Sequence, residues 1–251
     1  MEYIRNRIGN TVLYRSKALQ KETGLENIYL KMEGMNPTGR LQDRLAYAMV
    51  KEAAQLGRRC ICLASLGPLG SSIAYVSGLF EGLECVIVIP EKSIEKKNQW
   101  FRQEHVKVIE YGKTYSDAFR KSSEMARENG WYDANPGYDN ISISTVVYSE
   151  MADEIVVKLG KNPDNIFVFL GDGALLLGLH HGFRALWLKG KIERIPKIFA
   201  SCTTTNHKIL EAFNEGRKKV DDAYSRAMKS PVINRKNINY KVVDDQGVLN
   251  S

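Results

Sequence analysis

Cysteine and histidine are scarce in this sequence, with four of each among 251 residues. The cysteines, Cys60, Cys62, Cys85 and Cys202, do not have the spacing of zinc ligands, and three of them lie in apolar, strand-like runs. We therefore expect no metal site. We also expect reduced and mostly buried thiols, which are typical of a cytoplasmic protein.

Long apolar segments are also lacking. No window approaches the roughly 20 apolar residues that a membrane-spanning helix needs. The opening MEYIRNRIGN has no apolar core of the kind found in secretory signals. These two absences predict a protein without a membrane segment and again favour the cytoplasm.

The charge balance is basic, with a formal net charge of +7 at pH 7. Acidic residues are interleaved with the basic ones, and aromatic residues do not alternate with the charges as in nucleic-acid-binding motifs. We interpret the charge as a solvated surface and do not expect nucleic acid as a partner. The densest basic segment, residues 216–241, leaves an acidic protein partner as the alternative.

Short apolar strands alternate with helical patterns along most of the chain. This alternation predicts an α/β fold with a mostly parallel sheet. The turn-rich stretch at 131–140 is a candidate domain boundary. The predicted strands are 27–33, 60–65, 85–90, 106–112, 165–170 and 196–201, and the predicted helices are 44–57, 71–82, 93–105, 115–130, 145–160 and 175–190.

Two glycine-rich turns each lie between a predicted strand and a predicted helix. They are SLGPLGSS at 65–72 and LGDGALLLG at 170–178. The N-terminus of a helix presents backbone N–H groups and the positive end of the helix dipole, so such a turn can bind an anion. Taken singly, each turn is explained better by a tight connection that requires glycine.

Taken together, the segments resemble pyridoxal-phosphate (PLP) enzymes of the tryptophan-synthase β type, called fold type II, and threonine synthase most closely. The resemblance implies two α/β domains with mostly parallel sheets: a small domain at 44–138 and a large domain formed by 1–43 and 139–251, truncated at its C-terminus. The matching segments, in the order of the family, are IGNTVLYR, IYLKMEGMNPTG, DRLAYAMVKEA, the Ser65 loop, VIVIPE and GDGALLLGLHHGF.

The resemblance assigns the family's Schiff-base lysine to the position of Gln42. A primary amide cannot form an imine with the cofactor aldehyde, and it cannot act as the base that moves a substrate proton. We therefore assign no catalytic residue. The loop that holds the substrate carboxylate in the family corresponds to Ser65, Leu66, Gly67, Pro68, Leu69 and Gly70, where Pro68 replaces an asparagine beside the cofactor.

The family's phosphate turn falls on Gly171, Asp172, Gly173 and Ala174. A carboxylate repels a phosphate, alanine supplies no hydroxyl donor, and Asp172 is expected to satisfy the helix N-terminus itself. Family members also continue into a segment with a Ser or Thr that faces the pyridine nitrogen, and we expect this partner to be missing. We interpret both loops as vestigial.

The coordinated departures predict a catalytically inactive relative that binds no cofactor. It would serve as a binding, regulatory or structural subunit, in a homodimer or in a complex with another subunit such as an active homologue. The alternative is a working PLP-dependent lyase or synthase of the threonine synthase or cysteine synthase class. It would use another lysine, with Lys31 and Lys92 as the nearest candidates, or a different ligand in the old cleft. A glutamine introduced at position 42 by mutagenesis is disfavoured by the accompanying Pro68 and Asp172.

Overall fold

The structure is a computed structural model in which six stretches of the chain are described. They are residues 7–93, 99–137, 140–202, 208–216, 239–243 and 249–250. The basic segment 216–241 lies mostly outside the described residues.

The chain divides into two compact units, Met1–Ile143 and Ser144–Ser251. The boundary lies just beyond the turn-rich stretch 131–140. Residues 1–43 fall in the first unit by their contacts. The predicted grouping of residues 1–43 with 139–251 in one large domain stays a prediction.

The first unit begins with a small two-stranded antiparallel sheet. Strands β1 (Leu13–Arg15) and β2 (Tyr29–Lys31) pair with Leu13 opposite Lys31. Helix α1 (Lys17–Thr23) connects them. Its first turn is capped by Ser16, whose hydroxyl accepts the backbone N–H of Leu19, and it ends at Gly24 in the left-handed conformation.

A four-stranded parallel sheet forms the centre of the first unit. Its spatial order is β5-β4-β3-β6, and every neighbouring pair is parallel. All five residues of β3 are buried, as expected for a parallel strand that is covered on both faces. The strands are β3 (Cys60–Ala64), β4 (Glu84–Ile89), β5 (Val106–Glu110) and β6 (Tyr132–Asp133).

Three helices accompany this sheet: α2 (Gln42–Gln55), α3 (Pro68–Ser77) and α4 (Tyr115–Asn129). The start of α4 is fixed by a reciprocal capping box between Thr114 and Asp117. The start of α3 directly follows β3, so this helix N-terminus lies at the carboxyl end of a central strand. That is the edge of a parallel sheet at which α/β proteins usually bind ligands.

The second unit contains a mixed sheet with the order β10-β9-β8-β7. β7 and β8 are parallel, while β9 pairs antiparallel with both β8 and β10. The strands are β7 (Asn165–Phe169), β8 (Lys197–Cys202), β9 (Asn239–Val243) and β10 (Leu249–Asn250), and the helices are α5 (Ile141–Leu159), which begins in the first unit, α6 (Ala174–Leu188) and α7 (Lys208–Asn214).

Helices α5 and α6 approach each other closely through glycine. A Cβ atom on Gly178 would lie 2.5 Å from the Cβ of Tyr148, and one on Gly182 would lie 2.7 Å from the Cβ of Ala152. Neither distance is compatible with a real side chain. The two glycines of α6 are therefore required by packing between the helices.

The α/β fold with a mostly parallel arrangement is confirmed. One predicted helix, 93–105, is wrong in its described part, where residues 99–105 contain only a short 3-10 turn, Gln99–Phe101. Tertiary packing explains the difference. Phe101 is buried, and Trp100 packs edge-on against Tyr75 of α3 with ring centroids 5.5 Å apart. These contacts outweigh the weak helix preference of a charged segment.

Candidate functional site

Gln42 is the first residue of helix α2, which begins two residues before the predicted helix 44–57. Its side chain is half-buried and makes no hydrogen bond to any residue that the structure describes. The residue before it, Leu41, provides no side-chain cap. The start of α2 therefore presents a side-chain amide.

The loop that leads to Gln42 is fastened by the next residue, Asp43, which is completely buried. Its carboxylate accepts the backbone N–H of Thr38 at 2.7 Å and the hydroxyl of Thr38 at 2.5 Å. The same hydroxyl oxygen lies 3.4 Å from the hydroxyl of Ser72 in α3. Asp43 thus fixes the Asn-Pro-Thr-Gly turn, and Thr38 connects this turn to the neighbouring helix.

A buried network of ion pairs and hydrogen bonds centred on Glu33 stabilises the segment that precedes α2. Arg44 donates to both oxygens of Glu33, and Lys31 and the hydroxyl of Thr11 donate to Oε1. The side-chain amide of Asn36 donates to Oε2 at 2.9 Å. Burial alone would raise the pKa of Glu33, but the hydrogen bonds and positive charges of these partners, led by Arg44, outweigh it and lower that pKa.

The Ser65–Gly70 loop joins β3 to α3 and uses its own hydroxyl as a cap. Ser65 is only 5% exposed, and its Oγ accepts the N–H groups of Gly67 at 3.2 Å and Gly70 at 2.9 Å. Pro68, the first residue of α3, has no N–H to offer. Of the backbone donors in this loop, two are therefore satisfied within the loop and a third is absent.

Asn135 supports the start of the Ser65 loop, a role that the sequence analysis missed. It follows β6, and its Oδ1 accepts the backbone N–H of Ala64, the residue before Ser65, at 2.8 Å. Its amide donates to Ser122 and Asp133. Asn135 therefore fixes the end of β3, from which the Ser65 loop departs. The Asn-Pro-Gly sequence was recognised only as a turn, because nothing local indicates a partner 71 residues away.

The second predicted loop, Gly171–Ala174, lies in the second unit between β7 and α6. Gly173 has φ of 90° and provides no side-chain cap. Oδ1 of Asp172 accepts the backbone N–H of Ala174 at 3.0 Å. This is the contact expected if Asp172 satisfies the start of α6 with its own carboxylate.

The structure thus brings Gln42 and the Ser65 loop into the first unit and places the glycine turn at 171–174 in the second. The alternative lysines differ from Gln42 in their setting. Lys31, the last residue of β2, donates hydrogen bonds to Thr11 and Glu33. Lys92 lies in an exposed turn after β4 with φ of 61°. Neither begins a helix. The roles assigned to these residues remain predictions.

Metal and thiol chemistry receive no support from the part of the chain that is described. There, no three His, Cys, Asp or Glu side chains are grouped as metal ligands. All four cysteines are buried and none forms a disulfide, and burial raises the pKa of Cys60 to about 12. Among the described helices, none is sufficiently long and apolar to cross a membrane.

Comparison with known proteins identifies the family. Residues 4–248 match the family of pyridoxal-phosphate dependent enzymes. Threonine synthase of Methanocaldococcus jannaschii is 28% identical over 216 residues, which are 84% of this chain and 52% of the relative. Cysteate synthase of Methanosarcina barkeri is 26% identical over 222 residues, which are 83% of this chain and 52% of the relative. The chain therefore spans about half the length of these relatives.

A solved structure shows the same fold. The structure of the processed form of threonine deaminase isoform 2 from Solanum lycopersicum matches with a TM-score of 0.72 and 21% identity, over 87% of this chain and 58% of that one. At this identity the likeness shows the fold alone, and it agrees with the fold type predicted from the sequence.

The expectation that no cofactor is bound is contradicted by the family match, because the family is defined by its dependence on pyridoxal phosphate. The residues present fit this cofactor only in part. The turn at 171–174 retains the glycine backbone of an anion cradle, but it carries the Asp172 carboxylate, and Gln42 offers no amine for a covalent bond. The match over nearly the whole chain, together with the fold, shows that this chain belongs to the pyridoxal-phosphate dependent enzyme family.

Proposed function

We propose that this chain is a non-catalytic member of its family that acts as a binding, regulatory or structural subunit. Pyridoxal phosphate, where it is bound, would be held without a covalent bond to residue 42. The observation that carries this proposal is Gln42 at the start of α2. The turn before it is held by the hydrogen bonds between Asp43 and Thr38, so residue 42 is fixed in place although it carries no amine.

The chemistry of the cofactor explains why this one position matters. Bound pyridoxal phosphate serves as an electron sink for carbanions, while the protein supplies orientation and proton transfer. An amine does this work by bonding to the cofactor aldehyde and by accepting a proton. The amide of Gln42 can donate and accept hydrogen bonds, but it can neither bond to the cofactor aldehyde nor accept a proton as a base. It can therefore contribute to binding but not to turnover.

The frame around Gln42 supports a role in binding. Hydrogen bonds between Asp43 and Thr38 fix the turn before the helix. The ion pair between Glu33 and Arg44 fixes the segment that leads to this turn. A fully buried carboxylate and a buried ion pair are each costly when a single partner is lost, so these contacts hold the segment in one conformation. The retained network favours a loop that still has to present a defined surface.

The subunit role is supported by exposed aromatic residues in the second unit. Phe167 and Phe169 of β7 are 69% and 56% exposed. Four of the five residues of this strand are apolar, so such exposure is unexpected for an isolated sheet. Apolar surface of this kind is typical of protein interfaces. Association with a second copy or with another subunit is therefore part of the proposal.

The alternative is an active PLP-dependent lyase or synthase that uses a lysine elsewhere in the chain. It is favoured by the family match and by the synthase names of the relatives. Lys31 is a poor candidate because its ammonium group is engaged with Thr11 and Glu33 in a network that also contains Arg44.

Borohydride trapping separates the two proposals. The purified protein is titrated with pyridoxal phosphate while its absorbance is followed. It is then reduced with borohydride and digested, and its peptides are analysed by mass spectrometry. We expect reversible binding and no phosphopyridoxyl group at a single lysine. The matched control is Gln42→Lys, in which a label at residue 42 would show that this position faces the bound cofactor. Full labelling of one specific lysine in the unaltered protein would overturn the non-catalytic proposal.

A further inference from the structure

The turn before α6 has the backbone of an anion site. The first three N–H groups of α6, from Ala174 to Leu176, have no acceptor within the helix, since Leu177 makes the first such bond, to Gly173. Gly173 has φ of 90°, and a Cβ there would lie 3.1 Å from Cδ1 of Ile209. Glycine is therefore favoured by the backbone conformation, and a Cβ would crowd the terminal methyl of Ile209. A strand, a glycine turn and a helix start in this order favour phosphate.

The chain's own carboxylate already occupies part of this position. Oδ1 of Asp172 accepts the N–H of Ala174 at 3.0 Å, and Asp172 is exposed. One helix donor is thereby used, and a negative charge stands at the positive end of the α6 dipole. A phosphate at the same donors would meet a like charge a few ångströms away.

We propose that Asp172 sets the ligand preference of this turn by disfavouring the phosphate group of the cofactor. The inference rests on the proposed function, in which the cofactor is held without a covalent bond. Binding of pyridoxal phosphate is weakened by Asp172, whereas binding of pyridoxal is not, because its neutral hydroxymethyl group can donate a hydrogen bond to the carboxylate. The ligand class that suits the turn is a pyridoxal-like molecule that ends in a hydrogen-bond donor.

Asp172→Asn is the decisive variant. Asparagine keeps an oxygen that can accept the N–H of Ala174 but removes the charge, so the start of α6 stays capped. Equilibrium dialysis then measures the affinities of both proteins for pyridoxal phosphate and for pyridoxal, with inorganic phosphate as a competitor. We expect pyridoxal phosphate to bind about 10-fold more tightly to the variant, an ordinary size for one screened charge contact. The affinity for pyridoxal should change by less than about 2-fold, and inorganic phosphate should compete more strongly with the variant.

The matched control is Asp164→Asn, which removes another exposed carboxylate of the second unit from the residue before β7. It should leave both affinities unchanged. Equal gains for pyridoxal phosphate and pyridoxal in Asp172→Asn, or no gain for either, would overturn the inference, as would the absence of pyridoxal phosphate binding to both proteins at millimolar concentration. Failure of the proposed function has a different signature: a borohydride-stable label on one lysine, whatever residue stands at 172.

Discussion

Arg44, two residues after Gln42 in the first turn of α2, forms a bidentate ion pair with Glu33. Nε of Arg44 lies 2.7 Å from Oε2 of Glu33, and Nη2 lies 2.9 Å from Oε1. The side chains are only 3% and 15% exposed. This pair joins the start of α2 to the segment after β2. The position of Gln42 therefore depends on a contact between residues 11 apart in the chain.

Replacing Arg44 by methionine should destabilise the protein strongly. The change leaves the Glu33 carboxylate without its main partner in a largely buried place, and losing one member of a buried pair typically costs about 3–5 kcal/mol. Urea denaturation followed by circular dichroism measures the loss. The control is Arg194→Met, which removes an exposed ion pair with Asp164 and should cost less than about 1 kcal/mol. Similar losses in both variants would contradict the importance assigned to the Glu33 network.

Glu33 should make stability depend on acid pH. Its pKa is lowered in the folded state, so its contribution is complete above the pKa of the unfolded chain, about 4.3. That contribution is lost as pH falls through the lower folded value. The difference in unfolding free energy between the unaltered protein and Glu33→Gln should therefore be largest near neutral pH and shrink below about pH 4. A difference that is constant between pH 7 and pH 3 would show that Glu33 acts through packing alone.

The cysteines should resist alkylation in the folded protein. All four are buried, and burial raises the pKa of Cys60 to about 12 and the pKa values of Cys62 and Cys85 further. The reactive thiolate is therefore rare at pH 8. Mass spectrometry after iodoacetamide treatment should find almost no label under native conditions and four labels in urea. Rapid native labelling of Cys62 would indicate that the centre of the first sheet opens readily.

Gln42→Lys alone should not create an active synthase. The substitution supplies an amine, but Pro68, in the loop after β3 of the same unit, still lacks an N–H. Misplacement on the order of 1 Å can reduce a rate about 100-fold. Turnover of serine, threonine and O-phosphohomoserine by the variant is the measurement, with the unaltered protein as the blank. Substantial turnover would mean that the remaining residues of the site are competent.

The exposed phenylalanines of β7 should promote association. Covering apolar surface contributes about 25 cal/mol per Å², so the two side chains together represent several kcal/mol. Light scattering over a dilution series should show an oligomer that is weakened in the double variant Phe167→Ser, Phe169→Ser. Leu25→Ser, at an exposed apolar residue of the first unit, is the control and should have no effect. An unaltered protein that is monomeric at all concentrations would leave a complex with a different subunit as the partner hypothesis.

The sequence by itself determined the α/β class and the two strand-turn-helix segments. These features depend on local periodicity and on glycine at turns, both of which are written into consecutive residues. Only the tertiary structure decided that Asn135 fixes the end of β3, that Glu33 gathers Lys31, Arg44 and Asn36, and that residues 99–105 form no helix. Those outcomes depend on contacts between distant segments, whose burial and hydrogen bonds outweigh local preference and leave no pattern in neighbouring residues.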